Sequence, residues 1–247
     1  MNNSLEITKK KPLKKSLFYR IVKRSIDVFC SLIALVLLSP VFLVTVICIA
    51  IEDGRPFVYK QKRVGKDKKV FEIYKFRSMR KDADKIHEQL KKHYGSNDVS
   101  FKLEDKDDPR ITKVGRVIRA IRIDELPQII NILKGDMSIV GPRPERIEHV
   151  RMYAEAIPEF RYRYKVRGGL TGYAQIYGKY NTSPYDKIRL DLMYIEHYSI
   201  WLDIKLILLT LRILFQKEST EGFDAAEENQ RKTEAMLKDI RQQEEKK

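Results

Sequence analysis

From Val28 to Ile51 the chain carries no charged side chain, and this run limits its possible folds more than any other feature. At ~20 residues per bilayer crossing it is long enough to span as a single helix. Its flanks and its middle argue for something else. Lys9, Lys10, Lys11, Lys14, Lys15, Arg20, Lys23 and Arg24 precede it, a basic segment expected to stay on the cytoplasmic side beside anionic lipid. Ser39-Pro40 interrupts it, where the proline ring and missing amide hydrogen break the helical ladder and the Ser39 hydroxyl can bond a freed carbonyl. The pattern predicts a helix-break-helix over residues 23–52 that enters one leaflet and returns, keeping both flanks on one face. The run lies too far from the start for a signal peptide's apolar region, and no small-residue cleavage site follows it, so it is expected to be retained.

The remaining composition suits a phosphate-rich partner. Lys and Arg outnumber Asp and Glu by 49 to 34, a net charge of +15, which fits nucleic acid, anionic headgroups or a nucleotide without choosing among them. The 247 residues, 43% hydrophobic, suffice for one ordinary domain with extensions. Cys30 and Cys48 both lie in the apolar run, where they read as packing residues rather than as a disulfide or metal framework. His87, His93, His149 and His197 show no metal-ligand spacing, so no zinc site is expected.

Beyond the run, Phe57 to Met79 alternates apolar and basic residues around Gly-Lys-Asp-Lys-Lys, the signature of a β-hairpin. A charged helix over Arg80–Tyr94 and a polar connector over Gly95–Asp108 follow. Val114, Val117, Ile118 and Ile121 mark a further helix, and Pro127 suits the first turn of the next, which Gly135 ends. Tyr153–Lys165 reads as a charged aromatic helix and Arg167-Gly168-Gly169-Leu-Thr171-Gly172 as a glycine-rich turn. Leu190–Phe215 resembles an interfacial helix, and the charged tail from Gln216 carries no catalytic duty.

Asp124 and Glu125 stand side by side at a helix N-terminus, where backbone amides favour anions. Alone, such a pair usually complements the helix dipole. Here Arg119, Arg122, Arg143 and Arg167 occur close by in sequence, near glycine and proline turns, and arginine holds phosphate bidentately. The set favours phosphoryl transfer: one carboxylate to attack phosphorus, its neighbour to share Mg²⁺ with phosphate oxygens, and arginines to offset developing charge. Asp136, Asp191 and Asp203 are further acidic candidates, better explained as caps or ion pairs, with Asp191 held in reserve.

The ordered motifs Lys23-Arg24-Ser-Ile-Asp27, Ser39-Pro40, Tyr74-Lys75-Phe76-Arg77-Ser78-Met79, Asp124-Glu125-Leu-Pro127-Gln128, and Lys134-Gly-Asp136 through Gly141-Pro142-Arg143-Pro144 resemble those of the bacterial sugar transferases, the monotopic polyprenyl-phosphate phosphoglycosyl transferases. The resemblance runs from about Lys23 to Phe215. It implies a helix-rich α/β (α+β) membrane-associated domain with a re-entrant membrane helix, interfacial amphipathic helices and a small catalytic core on the cytoplasmic face of the bacterial inner membrane. Four segments are expected: a basic stretch 1–22, the re-entrant helix 23–52, the catalytic domain 53–215 and a tail 216–247.

By the same resemblance Asp124 is the nucleophile that takes a phosphosugar from a UDP-sugar, releasing UMP, before undecaprenyl phosphate accepts it. Glu125 matches the magnesium-associated carboxylate, Arg119 and Arg143 the phosphate-binding arginines, with Pro142 and Pro144 bracing Arg143. Arg167 and Asp191 fall at further site positions. Gly168 stands where the family carries proline and Tyr173 where it carries tryptophan. The chain looks like the small form that starts capsule, exopolysaccharide or other envelope glycan assembly, with glucose or galactose as the expected donor sugar, Mg²⁺ as cofactor, downstream glycosyltransferases as neighbours and no nucleic-acid partner. The rival reading is a non-catalytic, membrane-anchored basic protein that binds anionic lipid or nucleic acid, for which no nucleic-acid module is recognisable.

Overall fold

The computed structural model describes residues 15–94, 108–178 and 182–215. The expected basic segment before Lys15, nearly all of the connector after Tyr94 and the tail from Gln216 lie outside them. Helices α1 (Leu17–Leu37) and α2 (Ser39–Asp53) come first, then strands β1 (Val58–Val64) and β2 (Val70–Phe76). Helices α3 (Ala83–Tyr94), α4 (Lys113–Ala120) and α5 (Gln128–Lys134) follow, with strands β3 (Met137–Val140) and β4 (Glu145–Arg146). The chain continues through α6 (Ile147–Ala156), a 3-10 segment Pro158–Lys165, β5 (Gly168–Thr171), α7 (Tyr173–Tyr177), α8 (Pro184–His197) and α9 (Ile200–Phe215). This is the expected helix-rich α/β class. Two compact units form: the described residues of Met1–Arg24, Val64–Lys69 and Ser138–Lys247 in one, Ser25–Arg63 and Val70–Met137 in the other.

The break in the apolar run is present. Leu38 separates α1 from α2, whose axes bend by 59°. Pro40 lies in the first turn of α2, where its missing N–H interrupts no bond within that helix, and Ser39 Oγ donates to the Val36 carbonyl at 2.8 Å. No single described helix is long and apolar enough to cross a membrane, and the two pass that test only as a bent pair. Their surface is inverted relative to a soluble helix: Phe29, Leu32, Val36, Leu37, Leu43 and Ile51 are exposed while Asp27, Ser31 and Thr45 are buried. Exposed apolar area on this scale marks a surface meant for a non-aqueous neighbour.

In the unit containing α2, Ile49, Phe76 and Ile118 form a small core joined by Phe42, Val46, Phe57, Val114, Ile123 and Leu126. The expected hairpin is β1 and β2, paired across a tip in which Gly65 N donates to Lys69 O at 2.8 Å. The helix marked by Val114, Val117, Ile118 and Ile121 is α4, which buries Ile118 and exposes Val117, with Ile121, just past its end, exposed as well. Helix α5 ends as expected at Gly135, left-handed at φ 89°. Asn131, fully buried, staples α5 to β2: its Oδ1 accepts Tyr74 N at 3.0 Å and its Nδ2 donates to Glu72 O at 2.7 Å.

The other unit has the larger core, with Val140, Ile157, Phe160, Tyr164, Ile188, Leu192, Tyr194 and Leu206 at its centre. Three sequence expectations change here. Pro158 splits the helix expected over Tyr153–Lys165 into the end of α6 and a 3-10 segment, since proline cannot continue the amide ladder. The glycine-rich turn is strand β5, paired with β3. The interfacial helix expected over Leu190–Phe215 is two helices, α8 and α9, of which α9 exposes Trp201, Ile204, Leu208 and Leu211. Asp203 is buried on the opposite side of α9 and meets Lys23 Nζ at 2.6 Å, while Tyr194 Oη lies 2.8 Å from its other oxygen. A buried acid is thereby paired, as its burial requires.

Candidate active site

The carboxylate pair is built by a sharp change of direction after α4. Arg122 adopts a left-handed conformation, φ 58°, and Ile123–Glu125 form one 3-10 turn ahead of α5. The pair thus sits in that turn, one step before the helix N-terminus expected from the sequence, and Pro127 immediately precedes α5. Asp124 and Glu125 both face Lys75 on β2, whose ammonium lies 2.7 Å from Glu125 Oε1 and 3.7 Å from Asp124 Oδ2. These side chains are 12% (Asp124), 18% (Glu125) and 20% (Lys75) exposed, sheltered enough for charges to matter and open enough for a ligand. One ammonium therefore faces two adjacent carboxylates.

Arg119, at the end of α4, is fixed by its Nε donating to Ser78 Oγ at 2.9 Å. Gly115 makes that approach possible, since a Cβ there would lie 2.0 Å from the Ser78 carbonyl oxygen. Lys75 and Ser78 belong to the Tyr74–Met79 motif but reach Glu125 and Arg119 only through folding, about fifty and forty residues along the chain. Sequence reasoning gave neither a role; the signals available were the Tyr74–Met79 motif and the alternating basic residues of the hairpin.

The second group of expected residues lies in the other unit. Gly141 N donates to Thr171 O at 2.9 Å and Gly169 N to Pro142 O at 2.8 Å, so the Gly141–Pro144 segment is bonded along β5. The packing is backbone on backbone: a Cβ on Gly169 would stand 2.0 Å from Gly141 N. At Gly168 a Cβ would fall 2.4 Å from Pro144 Cγ, so the missing side chain lets the Pro144 ring close onto β5. Pro142 and Pro144 are buried and Arg143 and Arg167 half-buried. Tyr173 opens α7 half-buried against the larger core, and burial raises its hydroxyl above the ordinary tyrosine value.

Asp191 is buried on α8, and Arg163 Nε lies 2.8 Å from its Oδ2. The approach is off the N–H axis, so the contact is ionic rather than a directed hydrogen bond. Arg163 Nη2 donates to the Arg143 carbonyl at 2.7 Å and lies 3.9 Å from Glu145 Oε1. Arg163 thus touches both Asp191 and the backbone of Arg143, and it is a residue the sequence reading overlooked within its run of aromatic and basic neighbours. Of the other acidic candidates, Asp203 pairs with Lys23 and Asp136 accepts from Asn131 Nδ2 at 3.4 Å.

Burial pushes the Asp191 carboxyl up to about 6, against the opposing pull of the Arg163 guanidinium. Its folded value lies above the ordinary carboxylate value, so the folded state binds the extra proton. This group's contribution to stability is therefore fully present below about pH 4 and lost as pH rises through about 6. Asp191→Asn is expected to remove that slope. Thermal midpoints of wild type should fall relative to the variant across this window, and parallel curves would show that Asp191 does not titrate there.

No group of three or more His, Cys, Asp or Glu side chains able to hold a metal occurs among the described residues. An all-protein metal cage does not fit this donor set. A Mg²⁺ shared between one carboxylate and substrate phosphate oxygens does fit, because magnesium commonly takes only one or two protein carboxylates.

The family model for bacterial sugar transferases matches residues 18–217. Galactosyl transferase CpsE of Streptococcus agalactiae serotype III is 44% identical over 197 residues, covering 78% of this chain and 42% of that protein. A UDP-N-acetylgalactosamine-undecaprenyl-phosphate N-acetylgalactosaminephosphotransferase of Aeromonas hydrophila is 40% identical over 205 residues, 82% of this chain and 45% of its own length. The exopolysaccharide production protein ExoY of Sinorhizobium fredii is 37% identical over 198 residues, 77% of this chain and 84% of that protein. The chain spans less than half the length of the first two relatives and most of the third. With its motifs in order and a match over most of its length, the chain belongs to the bacterial sugar transferases.

Proposed function

We propose that the chain transfers a sugar 1-phosphate from a UDP-sugar to undecaprenyl phosphate and releases UMP. The observation that carries this reading is the Asp124–Glu125 pair held against Lys75 in a sheltered but accessible turn. Family membership and the substrates named for the Aeromonas relative support it. In the first step Asp124 Oδ bonds to the β-phosphorus as the bond from that phosphorus to the bridging oxygen breaks, and UMP leaves with the electron pair. In the second, a phosphate oxygen of undecaprenyl phosphate attacks the same phosphorus and Asp124 is released. The sugar C–O bond stays intact throughout.

Lys75 offsets the charge of the two carboxylates, and Arg119 binds donor phosphate oxygens; for Arg143 and Arg167 the same role rests on the family resemblance alone. Glu125 would hold Mg²⁺, which when bound supplies charge neutralisation at the transferring phosphoryl group. Galactose and glucose are the expected donor sugars; the galactosyl transferase named among the relatives supports the first and the Aeromonas enzyme adds N-acetylgalactosamine. Incubating the full chain in detergent with a panel of UDP-sugars and undecaprenyl phosphate should yield UMP with at least one donor. No UMP from any donor would overturn the reading.

Residues 23–52 form the membrane-embedded part in this proposal and residues 53–215 the catalytic part on the cytoplasmic face of the inner membrane. The bent pair with its exposed apolar surface and buried Asp27, Ser31 and Thr45 supports re-entry. Cysteines introduced before α1 and after α2, in a chain lacking Cys30 and Cys48, should react with a membrane-impermeant thiol reagent from the same face. Labelling from opposite faces would establish a crossing helix. Pro40→Leu should shift labelling toward the crossing pattern, because it restores the interrupted ladder.

A further inference from the structure

We infer that Glu52, at the end of the helical hairpin, is a positioning residue for the proposed transfer, on which this inference rests: it sets the short helix that leads to Arg119 and Asp124. Its carboxylate accepts from the amides of Lys113 at 2.6 Å and Val114 at 2.8 Å. Thr112 Oγ1 accepts the next amide, Gly115 N, at 2.8 Å. The first three N–H groups of α4, which have no acceptor inside a helix, are all held by side chains. Two of the three depend on a residue sixty positions away.

This matters because α4 has eight residues, too few to persist in water without tertiary support. The corner that carries Glu52 is itself anchored. Asp53 Oδ2 lies 2.8 Å from Arg77 Nη2 and accepts Lys81 N at 3.1 Å, and Arg77 Nη2 also donates to the Asp53 and Gly54 carbonyls at 3.0 and 2.7 Å. The last turn of α2 is therefore bonded both to the exit of β2 and to the start of α4. At the far end of α4, Arg119 meets Ser78, then the chain turns at Arg122 into Asp124 and Glu125. A shift where α2 leaves the apolar hairpin reaches this segment through one short rod.

The test uses the full chain in detergent, with Glu52→Ala and Glu52→Gln. UMP release provides kcat and KM for the UDP-sugar; amide hydrogen exchange follows Lys113–Ala120, with Ile188–Ile195 as a folding control. Glu52→Ala should exchange about tenfold faster in α4 and lose about tenfold in kcat, with KM within about twofold and the control unchanged. Glu52→Gln, which keeps one carbonyl acceptor, should fall between. Faster α4 exchange with unchanged kcat, a lower kcat with unchanged α4 exchange, a change in KM alone, or faster exchange in the control as well would each overturn the inference. An active wild type with an indifferent Glu52→Ala sinks the inference alone. A wild type that releases no UMP sinks the transfer reading and the inference with it.

Discussion

Replacing Asp124 by Asn is expected to abolish UMP release, a loss on the order of 10⁴-fold or more, the scale seen when a covalent nucleophile is removed. An amide oxygen keeps nearly the same shape but cannot attack phosphorus as an anion, so the chemistry fails while the turn survives. The surroundings favour a clean result: Lys75 retains its 2.7 Å contact with Glu125, and the 3-10 turn depends on backbone bonds such as Leu126 N to Ile123 O at 3.0 Å. Intact-mass measurement gives an independent readout. Wild type mixed with donor alone should gain the mass of a phosphosugar, and the Asn variant should not. An equal adduct on the variant would place the nucleophile elsewhere, with Glu125 the first alternative.

Lys75→Met should cost about 10²-fold to 10³-fold in kcat, the scale of losing one group that offsets charge in a sheltered site. The methionine keeps most of the side-chain volume, so the hairpin should fold, but Asp124 and Glu125 lose the ammonium facing both. Lys75→Arg should recover part of the rate, since it restores the charge without the compact geometry of an ammonium. Steady-state UMP release with circular dichroism as a folding control measures this. A loss under about threefold would mean that Lys75 makes an ordinary surface ion pair, which contributes little.

Local chemistry made several features legible in advance. Pro40 broke the apolar run where the ladder had to break, and Ser39 took a freed carbonyl. Alternation gave the β1–β2 hairpin, and Gly135 stopped α5 in the left-handed conformation that a residue without Cβ adopts most easily. The failures share a cause. The helix expected over Tyr153–Lys165 ran through Pro158, and three glycines looked like a loop when their lack of side chains lets Gly169 and Gly172 pack on Gly141 and Gly168 on Pro144. Asp191 stood out as an acidic residue, but its partner Arg163 lies in another element, and no spacing rule links the two.

From the order of residues alone came the broken apolar run, the α/β class, the Asp124–Glu125 pair and the family resemblance, because each depends on near neighbours or on motifs read in sequence. The tertiary structure alone decided that Lys75 faces the pair, that Ser78 holds Arg119, that Arg163 stands between Asp191 and Arg143, and that Glu52 caps α4. Those contacts join residues twenty to sixty positions apart. Their partners are chosen by which strands and helices pack together, and a pattern with a period of two or four residues carries no record of that choice.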